Sequence, residues 1–312
     1  MKAVRCIVNN SLLSCLIKKE DKLWLFLSYL IGGLGLGSVY AIIALGYSMV
    51  YGIAKMLNFA HGDIIMVGAF VAYLSMRAGL PVFVAILLSV VVCTVLGVVI
   101  ERLAYKPLRE ASSLSVLITA IGVSYFLQNG AMLLWGTDTK IFPTILSGSI
   151  TIGELSIPYL TLITIASCVI IMIVLTLFIN NTKTGRAMRA CSEDKGAASL
   201  MGINVNKIIS ITFAIGSGLA AIAAILLCAT YPSVYPTLGS MPGIKAFTAA
   251  VFGGIGSIPG AFLGGLLLGV IENLTRAYIS TQLSDAIVFM VLIVILLVKP
   301  TGLLGKKVNV KV

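Results

Sequence analysis

Four apolar runs, residues 81–100, 114–135, 158–180 and 208–230, each reach about the 20 residues that a helix needs to cross the hydrocarbon core of a bilayer. No other feature narrows the possible folds as much. In lipid, a spanning segment must satisfy its own backbone N–H and C=O groups, so such runs fold as helices. Residues 62–77 and 285–299 are shorter but similar in character. The chain is 59% hydrophobic and 11% charged, whereas soluble domains carry roughly 25% charged residues. Too few charges remain to cover a water-facing surface. The expected fold is all-α: a polytopic bundle of transmembrane helices.

Two stretches are too long for one straight pass. Residues 24–54 contain glycines at 32, 33, 35 and 37, and residues 244–279 are interrupted by Gly253, Gly254, Gly256, Pro259 and Gly260. Charge supplies an orientation. Seventeen of the 22 Lys and Arg residues fall in the tail 1–22, the loops 101–112 and 181–207, and the end 299–311. The loop 136–157 holds only Lys140, and 231–243 holds none. Basic loops stay in the cytoplasm, so both termini are expected there, with 136–157 and 231–243 outside. The net charge of +11 has this explanation and gives no reason to invoke nucleic acid. Parity then predicts that 24–54 splits near Gly32–Gly37, or that one segment is re-entrant. It also predicts a split of 244–279 near Gly256–Pro259. The total comes to about 8 to 10 crossings. The domain reading is a basic tail 1–22, a membrane domain 23–300 and a short tail 301–312. No small-residue cleavage site follows the first apolar run, which reads as a retained helix.

The two interrupted stretches come early in each half. Gly/Pro-broken segments in corresponding halves point to a transport path, because irregular backbone at membrane depth survives only where it is buried or lines a cavity. Four-residue glycine spacings at Gly33/Gly37, Gly256/Gly260/Gly264 and Gly265/Gly269 equally suit close helix packing. The candidate pathway residues are Asn58, Phe59, His61, Asp63, Gly253, Gly254, Gly256, Pro259 and Glu272. Asn58 or Asp63 could instead cap a helix. Glu272 and Arg276, four apart, could pair on one helix face.

Nothing supports an enzyme. His61 is the single histidine, and the six cysteines are scattered without a CxxC pair, so no metal or other cofactor is expected. The string Gly302–Lys307 lacks the spacing and the Ser/Thr of a nucleotide-binding loop. The cytoplasmic loop 181–207 predicts a short helix over 193–201. Ser192 would be its N-cap, Glu193 and Asp194 would fill its first turn, and Gly202 would stop it. Ala197, Ala198, Leu200 and Met201 would form its apolar face. Such a helix could dock on a partner or lie on the lipid surface.

Three stretches carry a resemblance. GSVYAIIALGYSMVYGIAKMLNFAHGDIIMVGAFVAY (37–73) resembles the start of branched-chain amino acid (leucine/isoleucine/valine) ABC transporter permeases. TKTGRAMRACSEDKGAASLMGINVNK (182–207) resembles that family's cytoplasmic coupling segment, and AAVFGGIGSIPGAFLGGLLLGVIENL (249–274) its Gly-rich motif. The resemblance implies a permease subunit that works beside a second permease, two cytoplasmic ABC ATPases and an external substrate-binding protein. It also favours ATPase docking for the loop, with Gly185, Arg186, Arg189, Ser192, Glu193, Asp194, Ala197, Leu200 and Gly202 as coupling residues. Urea and short-amide permeases share the NxAHG and GGIGS patterns. A stand-alone carrier or channel is the rival from another class.

Overall fold

The computed structural model describes residues 2–305 apart from 110 and 154, with side chains described from Lys22 onward, Ile152 excepted. The helices are α1 (Lys2–Ala54), α2 (His61–Arg77), α3 (Val82–Ile100), α4 (Ser113–Trp135), α5 (Tyr159–Asn181), α6 (Lys183–Glu193), α7 (Lys195–Leu200), α8 (Val205–Thr230), α9 (Ser240–Gly253), α10 (Ile258–Tyr278) and α11 (Ser284–Val298). Six of them are long and apolar enough to cross a membrane, counting α1 from Lys22. The polytopic helical bundle is therefore the fold. Two small antiparallel ribbons add to it: β1 (Lys140–Ile141) with β4 (Ser233–Val234), and β2 (Ser149–Ile152) with β3 (Leu155–Pro158).

The core is α1 and α8, against which α2, α3, α9 and α10 pack. α8 is largely enclosed, while α4 and α5 present most of their surface outward. Exposed Leu133, Leu134, Phe126 and Leu297 fit a lipid-facing exterior.

Helix α1 runs unbroken through Gly32–Gly37, so the expected split there does not occur. The glycines serve packing instead. A Cβ on Gly37 would stand 2.7 Å from the Leu266 carbonyl oxygen and 2.9 Å from that of Gly265, and Gly33 abuts Val270 and Gly269. Small residues on both faces let α1 and α10 approach backbone to backbone. The second expected break is present, at residues 254–257 between α9 and α10. The break in the first half lies instead at 55–60, where Lys55 has φ +58° and ends α1.

An unbroken α1 changes the parity. Trp24, at the start of the apolar part of α1, lies by Gly153 in the loop between β2 and β3. Ala54, at its end, receives a hydrogen bond from Lys195 in the basic loop. Lys22 and the loop 101–112 thus sit at opposite ends of the bundle. Of the tail 1–22, the side chains before Lys22 lie outside the described residues.

Candidate functional site: a polar cavity beside two interrupted helices

α2 and α9 are both short, and both begin inside the bundle. The His61 ring rests on Gly46, where a Cβ would stand 2.7 Å from its Nε2. Gly46 is eight residues before the end of α1, or about 12 Å of helix rise. The descent from β4 brings Gly239, the residue before α9, against the Gly62 backbone; a Cβ on Gly62 would lie 2.5 Å from the Gly239 carbonyl oxygen. The first turns of two helices therefore meet at depth. That position is one where irregular backbone must line a cavity or be buried.

A cavity of about 310 Å³ opens there, and α4 closes its far side. Phe59, Gly62 and Asp63 line it from the first break, Ser240, Gly243 and Ile244 from α9, and Leu117, Ile121, Ser124 and Gln128 from α4. Gln128 organises the polar part. Its Nε2 lies 2.8 Å from Asp63 Oδ1, 3.2 Å from Ser124 Oγ and 3.3 Å from Ser240 Oγ. Tyr47 completes the wall, its ring edge-on to His61 at 4.6 Å. Sequence reasoning missed Gln128, Ser124, Ser240 and Tyr47. A glutamine inside an apolar run was an available signal for Gln128.

The candidate pathway residues divide into groups. Phe59 and Asp63 reach the cavity. His61 is buried behind Tyr47. Asn58 is buried nearer the basic end, and its Oδ1 accepts a hydrogen bond from the Tyr105 hydroxyl at 2.8 Å. Tyr105 ends a π-helical turn, Glu101–Tyr105, that follows α3. Neither Asn58 nor Asp63 caps α2, whose N-cap is Ala60 without a side-chain bond. Gly253, Gly254 and Gly256 do not line the cavity. Their nearest neighbours are Gly260, the Leu304–Gly305 backbone and Gly52, respectively. Pro259 sits in the first turn of α10.

Glu272 lies in a different polar cluster. Lys245 Nζ bonds Glu272 Oε1 at 2.7 Å and Asp285 Oδ1 at 2.6 Å, and Arg276 pairs with Glu272 one turn along α10. The cluster ties α9, α10 and α11 together. The expected Glu272–Arg276 pair exists. Lys245 and Asp285, which complete the cluster, had not been singled out.

At the basic end, the expected helix 193–201 is shorter and starts later. Thr182 caps α6, with its Oγ1 accepting from Gly185 N at 2.9 Å, and α6 runs on through Ser192 to Glu193. Ser192 therefore sits inside a helix, its Oγ donating to the Arg189 carbonyl. Asp194 is the cap of α7, accepting from Gly196 N at 2.7 Å and Ala197 N at 3.0 Å. The earlier cap at Thr182 uses up the segment that Ser192 was expected to open. Gly202, at φ +80°, follows α7. Of the expected apolar face, Ala198 is buried, while Leu200 and Met201 stand 90% and 82% exposed. Gly185 is buried at the α5–α6 corner against Ile179. Arg186, Arg189 and Glu193 face outward. Burial, with Arg109 and Lys55 nearby, pushes the Lys195 ammonium below the ordinary lysine value.

Comparison with known proteins agrees with this architecture. The family described as branched-chain amino acid transport system / permease component matches residues 29–296. The high-affinity branched-chain amino acid transport system permease protein BraD of Pseudomonas aeruginosa is 46% identical, over 90% of this chain and 96% of its own. The LivH permease protein of Escherichia coli K12 is 45% identical over the same shares. The ribose import permease RbsC of Haemophilus influenzae is 27% identical, over 76% of this chain and 73% of its own. With the family matching residues 29–296 and two relatives aligned over 90% of the chain, the chain belongs to the branched-chain amino acid transport system permease component family.

Proposed function

We propose that this chain is the membrane-spanning permease subunit of an ATP-driven importer of branched-chain amino acids. The observation that carries the reading is the cavity at the meeting point of α2 and α9. It is a passage segment flanked by interrupted helices, in a chain that belongs to a transport-permease family. The names of BraD and LivH supply the substrate class.

The basic end, with loops 101–112 and 182–204, faces the cytoplasm. Trp24 then lies toward the outside, and α1 enters from that face. The α6–α7 segment is the docking site for ABC ATPase subunits, and Leu200 and Met201 are its apolar contacts. A second permease subunit and an external substrate-binding protein complete the assembly, which sits in the cell membrane. Hydrolysis of ATP belongs to the partner subunits. Phe59 and Asp63 form the pathway wall, His61 backs Tyr47 behind it, Asn58 braces the loop before them, and the Gly253–Pro259 segment and Glu272 hold the helices around it.

The test is purification of the tagged subunit in mild detergent, followed by reconstitution of the recovered complex with ATP inside the vesicles and binding protein outside. Uptake of leucine, isoleucine and valine against a gradient, dependent on ATP, is the expected result. Concentrative uptake by the subunit alone would sink the proposal.

A further inference from the structure

Among the described residues, Asp63 is the one charged side chain on the cavity wall. It is 2% exposed, and among the described residues no lysine, arginine or histidine forms an ion pair with it. Among the described residues the other two buried carboxylates are both paired, Glu101 with Arg109 and Glu272 with Lys245 and Arg276. A carboxylate at membrane depth is costly and needs a counter-charge. The side chains that the protein supplies are neutral, the Ser124 hydroxyl and the Gln128 amide, the latter 2.8 Å from Oδ1. Beyond this polar group the wall carries Leu117, Ile121 and Ile244. The first turns of α2 and α9 meet at the same place, and their dipoles favour negative charge.

We infer that Asp63 is the counter-charge for the ammonium group of a transported aliphatic amino acid. Gln128 holds the carboxylate in place, and the apolar wall receives the hydrocarbon side chain. The class of ligand is an α-amino acid with an uncharged aliphatic side chain. This rests on the importer reading above and deepens it. Two features make the contact weak enough for passage. The site contributes one charge, and the Gln128 amide already shares that charge. A transported solute must be able to leave as well as enter.

The experiment uses the assembled complex with Ile121→Cys as a reporter on the α4 wall, and Ile244→Cys on the α9 wall as an independent second reporter. Each is labelled with a cationic and an anionic methanethiosulfonate of similar size, and each rate is normalised to the same reagent's rate with free cysteine. An ionised Asp63 draws the cationic reagent roughly tenfold faster. Asp63→Asn brings the ratio to near one, and Asp63→Glu keeps it. Leucine and leucinamide slow labelling by the cationic reagent, and 4-methylpentanoate, which lacks the amine, does not. A ratio unaffected by Asp63→Asn overturns the inference, as does protection by 4-methylpentanoate equal to that by leucine. ATP-driven leucine uptake is measured on the same complex. If uptake holds while the charge ratio fails, the ammonium site alone is lost. If amines of other skeletons protect and leucine neither protects nor accumulates, the ammonium site stands and the branched-chain reading is lost.

Discussion

Lys195 Nζ donates a hydrogen bond to the Ala54 carbonyl oxygen at 2.6 Å, across 141 residues of chain. It joins the first residue of α7 to the last of α1. A cation at a helix C-terminus is favourable because the final carbonyls lack helical partners. Immediately beyond Ala54 the chain turns at Lys55 and reaches Phe59 on the cavity wall. The bond thus ties α7 to the segment that leads to the cavity wall, and under the proposed function it would carry a displacement of α7 there. In the reconstituted complex, Lys195→Met should leave ATP hydrolysis in place and lower leucine moved per ATP by about tenfold, in line with a charged hydrogen bond worth roughly 1.5–3 kcal/mol. Lys195→Arg should recover part of it. An unchanged transport-to-hydrolysis ratio in Lys195→Met counts against the linkage.

The cap of α7 is Asp194, so Asp194→Ala should loosen that helix by about 1 kcal/mol. Ser192→Ala should leave α7 unaffected, because Ser192 bonds within α6. Amide hydrogen exchange over residues 196–201 distinguishes the two: faster in the first variant, unchanged in the second. Equal exchange in both would return the cap to Ser192.

Leu200 and Met201 are the exposed apolar tip of the basic end. Covering two such side chains with a partner is worth about 1.5–3 kcal/mol each. Leu200→Ser with Met201→Ser should therefore cut ATPase recovery in pull-downs by at least about tenfold, with membrane yield of the permease unchanged. Full recovery of ATPase would place the docking surface elsewhere.

The Lys245–Glu272–Arg276–Asp285 cluster carries a stability prediction. Removing one partner of a buried pair leaves the other charge uncompensated, at about 3–5 kcal/mol. Glu272→Gln should accordingly lower the unfolding temperature of the purified protein, by less than that full amount, since buried Lys245 keeps only the partly exposed Asp285 as a partner. Lys245→Met combined with Glu272→Met should restore part of the loss, because neither buried charge then remains. If the double variant is less stable than Glu272→Gln, the cluster acts through something other than charge.

Much of this architecture is legible in the sequence. The runs 81–100, 114–135, 158–180 and 208–230 became α3, α4, α5 and α8 with ends shifted by a few residues. The Gly256–Pro259 break is real, and Gly202 follows the end of α7. The other glycine cluster, near Gly32–Gly37, misled: glycine marks both broken helices and closely packed ones, and only the presence of Gly265 and Gly269 opposite decides between them. Ser192 and Asp194 are comparable capping types two residues apart, and the earlier start at Thr182 selects between them. Lys245 went unnoticed because one basic residue beside a long apolar stretch looks like an interfacial charge.

The sequence by itself determined that the chain is a bundle of membrane helices, which loops are basic, and to which family the pattern belongs. Each of these depends on a single segment: a helix in lipid closes its own hydrogen bonds, and a loop's charge is a local count. Only the tertiary structure decided that Gln128 meets Asp63, that Lys245 joins Glu272 to Asp285, and that Lys195 reaches Ala54. Those pairings link helices distant in the chain. They arise when already formed helices pack, so no single stretch of residues encodes them.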